Sequence, residues 1–586
     1  MLSFVNAAVA RAASLRDPED PGPGYPAVGR RQWLATAAVG VCGAAGLTLA
    51  APPGAFAAES DRDAPRSPAA EGARLLDRLT WGANAAALEG LQHVGPAATV
   101  AALLRPAPNA PLPPEAQAQI DAMAITLTPM ETLAIDMQAR QQAIRNEPTE
   151  EARKAAQAAY QRDMRALQRE AERRFVLRAV YSPAQLQEKM TWFWMNHFNV
   201  FAGKADIRAM VGDYEDRAIR PHALGRFRDL LGATVRHPAM LRYLDNAQNA
   251  ARRINENYAR ELMELHTLGV DGGYSQRDVQ EMARVLTGHG VSLRPLDEPP
   301  PKLKPEWARQ YVRRGLYEFH PQRHDWDPKE LLGQPLQGQG MAELDEALDR
   351  LARAPATARF VTRKMAAYLV GDAPPPALLQ AMAERFQQTD GHIGAVLQTL
   401  FTSEAFQASL GTRLRDPVQY VMAGLRLGYS DRVLANPDPA LSWLQRLAEP
   451  LYGRVTPDGY PLDAAAWTSS GQMAVRFEIA RALGGAGTGA LYRAGGAAAE
   501  GAAPAIAQNA AFRAMEPQLA PATRVALARA GSPAEWNTFL LSAPRIHVRL
   551  TAARALRMQP PTELPVDPGK ACHAAFRHSR TLFPAP

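Results

Sequence analysis

Cysteine is almost missing: the 586 residues hold two, Cys42 and Cys572. Two thiols exclude a disulfide-stapled scaffold and a zinc-finger array. Aromatic residues are sparse at 7%, and no stretch interleaves them with basic residues in the manner of a nucleic-acid groove. Charge of one sign is scarce too. Sixty-six Lys and Arg face 59 Asp and Glu, and a formal charge of +7 on this length gives no reason to expect a nucleic-acid partner. Past the N-terminal segment no run approaches the roughly 18 apolar residues of a membrane helix, so no transmembrane span is expected in the mature chain. Also absent are a Gly-x-Ser-x-Gly elbow, His-Glu-x-x-His, a Walker A loop, a strand followed by Gly-x-Gly-x-x-Gly, a Cys-x-x-Cys-His haem site and an EF-hand loop. The familiar hydrolase, kinase, dehydrogenase and c-type cytochrome readings lose their footing with them. The remaining composition, 47% hydrophobic and 21% charged, is that of a globular chain with ample length for a large core.

Residues 1–57 read as an export signal. Arg30-Arg31-Gln32-Trp33-Leu34 precedes a mild apolar run from Ala35 to Ala50, then Pro52-Pro53 and the small-residue site Ala55-Phe56-Ala57. Paired arginines followed by an aromatic and Leu resemble a twin-arginine signal, although Gly29 stands where Ser or Thr is usual. The alternative is an ordinary secretory signal that carries two arginines. Cleavage near Ala57 yields a periplasmic or secreted product and leaves Cys572 as the sole cysteine, so packing alone must hold the fold. The long segment ahead of Arg30 leaves open a translation start downstream of Met1.

Helical signals dominate the mature chain, and the fold class expected is mainly α: a large multi-helix domain with one small β-hairpin. A polar linker at 58–72 leads into the main helical domain, 73–483. A Gln/Arg/Glu/Ala-rich region at 115–178 favours long helices. Ser182-Pro183-Ala184-Gln185 predicts a capped helix start, and Ser275-Gln276-Arg277-Asp278 another, with the second helix ending near Gly288. The hairpin is expected within 311–337, where aromatic and polar residues alternate around Pro and Gly. A Gly/Ala-rich loop at 484–504, closing helices at 505–560 and a tail at 561–586 complete the chain.

Two stretches carry a resemblance. Asn255-Glu256-Asn257-Tyr258-Ala259-Arg260-Glu261-Leu262-Met263-Glu264-Leu265-His266-Thr267-Leu268-Gly269-Val270-Asp271-Gly272-Gly273-Tyr274 is closely similar to the signature of the bacterial family known as domain of unknown function 1800. Support comes from Trp194-Met195-Asn196-His197-Phe198, from Pro238-Ala239-Met240-Leu241-Arg242-Tyr243-Leu244-Asp245-Asn246, from His324-Asp325 and from Pro355-Ala356-Thr357-Ala358-Arg359-Phe360. The resemblance implies an exported, mainly helical protein, encoded beside a second exported family that resembles sulfatases and is a candidate partner. It carries over no catalytic residue. His289 departs from the family's pattern, standing where Trp is common after Leu-Thr-Gly.

The residues can be weighed by their spacing alone. Leu186, Met190, Phe193 and His197 share one helical face, so His197 looks onto an apolar stripe, either as a satisfied core histidine or as a buried ligand or acid/base group. On the signature helix, expected from Asn257 to Leu268, Asn257, Glu261 and Glu264 fall within about 60° of one another, flanked by Arg260, while His266 lies opposite. Glu261, Glu264 and His266 therefore cannot converge on one ion from a regular helix. Two carboxylates one turn apart suit an acid/base pair or a shared divalent metal. The plainer alternative is an Arg260–Glu264 ion pair on a solvated face, with an interhelical salt bridge from Glu261. His324-Asp325, with His320 and Asp327 close by, is the densest His/Asp group. It is either an ordinary Asx turn or a metal donor pair that meets Glu261 or His197 across the fold. The aromatic loop at 452–467 either caps the core or walls a ligand site.

Two functions remain. One is an exported enzyme with catalytic Glu261, Glu264 and His197, a divalent metal on Glu261, His324 and Asp325, and binding residues Asn257, Arg260 and His266. The other is a non-catalytic periplasmic binding or assembly partner of a sulfatase-like protein.

Overall fold

The computed structural model describes residues 67–107, 110–492 and 503–543, which all lie within one compact unit. The export signal and the tail lie outside the described residues. The fold is mainly α, with only short antiparallel strands.

The helices that build the site are α1 (Pro68–Leu79), α2 (Gln185–His197), α3 (Pro238–Tyr243), α4 (Asn257–Glu264), α5 (Gln276–Val285), α6 (Met341–Arg353), α7 (Pro355–Leu369) and α8 (Pro417–Tyr429). Helix α1 starts inside the stretch expected to be linker, because Ser67 caps it and Pro68 fills its first turn. The Ser182 signal is displaced. Helix α2 begins three residues later, while the Ser182 hydroxyl accepts from Ala184 N and Gln185 Nε2 donates to the carbonyls of Ala179 and Ser182. Helix α2 is buried nearly all round, with Leu186, Met190, Phe193 and Trp194 in the main core. The Ser275 signal holds: its hydroxyl and the Asp278 carboxylate satisfy each other's backbone N–H groups at the start of α5.

The hairpin is β2 (Val312–Arg314) with β3 (Tyr317–Phe319), turning at Gly315. It gains a third strand, β1 (His289–Val291), antiparallel to β3, and a second, two-stranded ribbon forms from β4 (Glu330–Leu331) and β5 (Gln334–Pro335). Strand β1 has only three residues, too few for alternation to show in a sequence.

Candidate functional site

The signature helix is shorter than its pattern suggests. Tyr258, Ala259, Leu262 and Met263 bury its apolar face, and α5 packs beside it. After Glu264 the chain opens into wide turns: His266 N donates to Glu261 O and Leu268 N to Met263 O, each five residues back. Gly269 (φ +84°) ends this run in the left-handed region, and any Cβ there would lie 2.7 Å from the Phe360 ring. The widened turns carry His266 inward, where it is 1% exposed.

His266 and His197 meet there. Nε2 of His197 lies 3.0 Å from the His266 carbonyl oxygen, and the two rings are 6.2 Å apart. Phe193, Trp194, Phe198, Phe227 and Phe360 surround His197. Burial, with the Lys364 charge second, drives both rings far below the usual imidazole range, His266 to about 3, so both are neutral. A carbonyl only accepts, so His197 carries its proton on Nε2 and presents a bare Nδ1. That atom, both nitrogens of His266 and the hydroxyls of Tyr258 and Tyr368 are buried without a hydrogen-bond partner among the described residues.

On the outer side of α4 the ion pairs expected from sequence do not form. Arg260 reaches back to Glu256 at 3.0 Å and to Gln276, not forward to Glu264, the acid-before-base order that a helix favours. Glu261 and Glu264 are half-buried, and their carboxylates make no hydrogen bond or ion pair among the described residues. Burial first, then the charges of Glu264 and Asp458, push the Glu261 carboxyl up to about 7, with Arg260 opposing. Asn257 is a strut: its side-chain amide donates to Leu244 O at 3.1 Å, tying α4 to the end of α3.

Asp458 arrives on the 452–467 loop, which does cap the core through Tyr452, Tyr460 and Trp467. Asn199 donates to the carbonyls of Arg454 and Thr456, Tyr243 Oη to that of Val455, and Asn196 exchanges hydrogen bonds with the Tyr460 backbone. Gly459 (φ +77°) passes so close to Asn196 that a Cβ would lie 2.2 Å from its carbonyl oxygen. Asp458 also acts on Lys364 of α7, whose ammonium sits 5.5 Å over the Phe360 ring and has no ion-pair partner among the described residues. Burial pushes Lys364 down to about 8, Asp458 opposing. Tyr274 and Tyr243 are both raised, by burial first and by the Glu261 charge among other causes.

The metal set expected from sequence does not assemble. Asp325 is held by Arg284 through both oxygens, at 2.8 and 3.1 Å, and its Oδ1 also closes an Asx turn to Asp327 N. His324 Nδ1 contacts Thr287 O at 2.8 Å, and its Nε2 lies 3.3 Å from Glu343 of α6, an oxygen that Lys329 Nζ also approaches at 2.8 Å. These donors are engaged locally. Among the described residues no three His, Cys, Asp or Glu side chains gather as a group that could hold a metal, and Glu261, His324 and Asp325 are no exception.

Lys364, Asp458 and Glu343 do not stand out in the sequence. Lys364 lies four residues beyond Phe360, the end of the Pro355–Phe360 motif, and Asp458 precedes a glycine inside the aromatic loop. Neither position reveals its neighbours across the fold.

The chain matches the model of the family described as "Protein of unknown function (DUF1800)" over residues 74–548. The chain belongs to the DUF1800 family. No curated protein and no solved structure matches it. The match spans every residue of the site, from α2 to the 452–467 loop. No helix among the described residues is long and apolar enough to cross a membrane.

Proposed function

We propose that this DUF1800 protein is an exported enzyme of proton-transfer chemistry, with Glu261 as its proton carrier. One observation carries the reading: among the described residues Glu261 and Glu264 remain unpaired on a half-buried face although Arg260 is adjacent. A surface helix normally neutralises such a pair, and leaving two like charges together serves to hold one carboxyl protonated near neutral pH. Glu264 then supplies the negative charge that steadies a developing cation, and Lys364 offers a cation beyond Asp458. His197 and His266 act as positioning residues beneath, fixing the turn from which Glu261 projects.

The test is a substrate panel of esters, glycosides and phosphoesters, run from pH 5 to 9 on the mature protein and on Glu261→Gln. The expected result is an activity with a pH limb near 7 that Glu261→Gln lowers by about 100-fold or more without any fall in melting temperature. A Glu261 side chain that titrates in the ordinary carboxylate range by NMR overturns the reading. For export, fractionation of cells should find the mature chain in the periplasm beginning at Ala58, and Arg30→Lys with Arg31→Lys should keep it in the cytoplasm. Unprocessed cytoplasmic protein from the native sequence defeats that part alone.

A further inference from the structure

A second cleft lies between α1, α2 and the segment leading into α8. Arg78, Lys189, Arg413 and Arg415 line it together with Asp77 and Asp416. Four cations face two carboxylates there. Arg415 is paired with Asp77 at 2.5 Å, and the Asp416 carboxylate accepts from Gln419 N as the cap of α8. Glu449, which accepts from Val418 N, is driven above the usual carboxylate range by burial and by Asp416. Positive charge is in excess.

Besides Arg415, the cations are held by neutral oxygens. Lys189 is 3% exposed and gives two of its three N–H groups to the carbonyls of Arg78 and Thr80, at 2.7 and 3.0 Å. Arg78 is 7% exposed and donates to the carbonyls of Leu369 and Ser409. Arg413 lies over the Tyr368 ring, reaches only Leu462 O at 3.4 Å, and makes no ion pair among the described residues. Burial first, then the neighbouring guanidinium charges, lowers Lys189 far below its usual range and Arg78 to about 9. Buried like charges of this kind are costly unless a counter-charge sits among them.

We infer that this cleft binds one small tetrahedral oxyanion, phosphate or sulfate, between Lys189, Arg413 and Arg78. The cleft has a volume of about 40 Å³. One water needs about 10–15 Å³ by the same measure, so there is room for roughly three waters or for a single oxyanion with its oxygens in their places. Lys189 retains one N–H and Arg413 most of its fork, the donors that phosphate and sulfate use. The first amides of α8 play no part, because Val418 N donates to Glu449 and Gln419 N to Asp416. The site is separate from Glu261 and does not depend on the proposed proton chemistry.

Calorimetry and thermal melts of the full chain with inorganic phosphate, sulfate, acetate and chloride at equal ionic strength provide the test. Expected are one phosphate or sulfate per chain and a concentration-dependent rise of about 2–4 °C in the melting temperature. Arg413→Gln, at a half-buried position, should weaken binding by about 10-fold or more, and Lys189→Gln should do the same. If Lys189→Gln fails to fold, Arg413→Gln decides alone. A response to phosphate no larger than that to chloride, a response to acetate only, or an Arg413→Gln protein that binds as the native one does would overturn the inference.

Discussion

Nε2 of His197 sits 3.0 Å from the backbone carbonyl of His266, a single contact that joins the last residue of α2 to the unwinding end of the signature helix. It fixes the tautomer of His197 and places two neutral imidazoles side by side in an aromatic enclosure.

Neutral burial has a pH consequence. Both rings are depressed below the ordinary value of 6.5, His266 to about 3. Below pH 6.5 the unfolded chain takes up protons that the folded chain refuses. Their stabilising contribution is therefore complete above 6.5 and drains away as pH falls, for His266 down to about pH 3 with a slope approaching about 1.4 kcal/mol per pH unit. Urea melts at pH 7.5, 6 and 5 should show the decline, and His266→Phe should make it shallower by about one histidine's share. A stability independent of pH across this range would contradict it.

Glu261 has the opposite sign. Its carboxyl is raised from 4.5 to about 7, so its contribution favours the fold below pH 4.5 and is lost as pH rises through about 7. Glu261→Gln should melt progressively higher than the native protein between pH 5 and 8. Removing the like charge by Glu264→Gln should return the Glu261 midpoint toward the ordinary range, as read by NMR of the carboxyl carbon.

The contact of Lys329 and His324 with Glu343 is nearly solvent-free, with side-chain exposures of 1, 0 and 6%. Glu343→Gln leaves the Lys329 charge buried without its partner and should cost about 3–5 kcal/mol. A double change, Glu343→Leu with Lys329→Met, removes both charges and should recover most of that loss. Denaturant midpoints of the three proteins check it.

Gly459 is the tight point of the loop that brings Asp458. Gly459→Ala adds a Cβ against the Asn196 backbone at positive φ and should loosen the loop by about 1–3 kcal/mol. Hydrogen exchange confined to residues near 452–467, with little change in the core, is the expected record. Uniform destabilisation would count against a local clamp.

Much of the site is legible from spacing. The apolar face of α4, the stripe Leu186, Met190, Phe193, His197 and the Ser275 cap are local patterns, and local patterns survive folding. The buried place of His266 is only half visible: its angle puts it opposite Asn257, but the wide turns after Glu264 depend on Gly269 meeting Phe360 from a distant helix. The expected Arg260–Glu264 pairing fails because Arg260 has two partners within reach and Gln276 favours the one on its own side. Lys364 and Asp458 cannot be read at all, since their roles come from long-range contacts that no periodicity encodes.

The loop at 452–460 is held by its main chain. Asn199, Tyr243 and Asn196 grip carbonyls and an amide of residues 454–460, and Ala202 N adds the carbonyl of Tyr452. None of these grips reads a loop side chain. The frame thus works like a socket: with Gly459 and the buried rings of Tyr452 and Tyr460 kept, the exposed side chains between them can be exchanged with little effect on its seating, and what faces Glu261 and Lys364 can be re-specified one residue at a time.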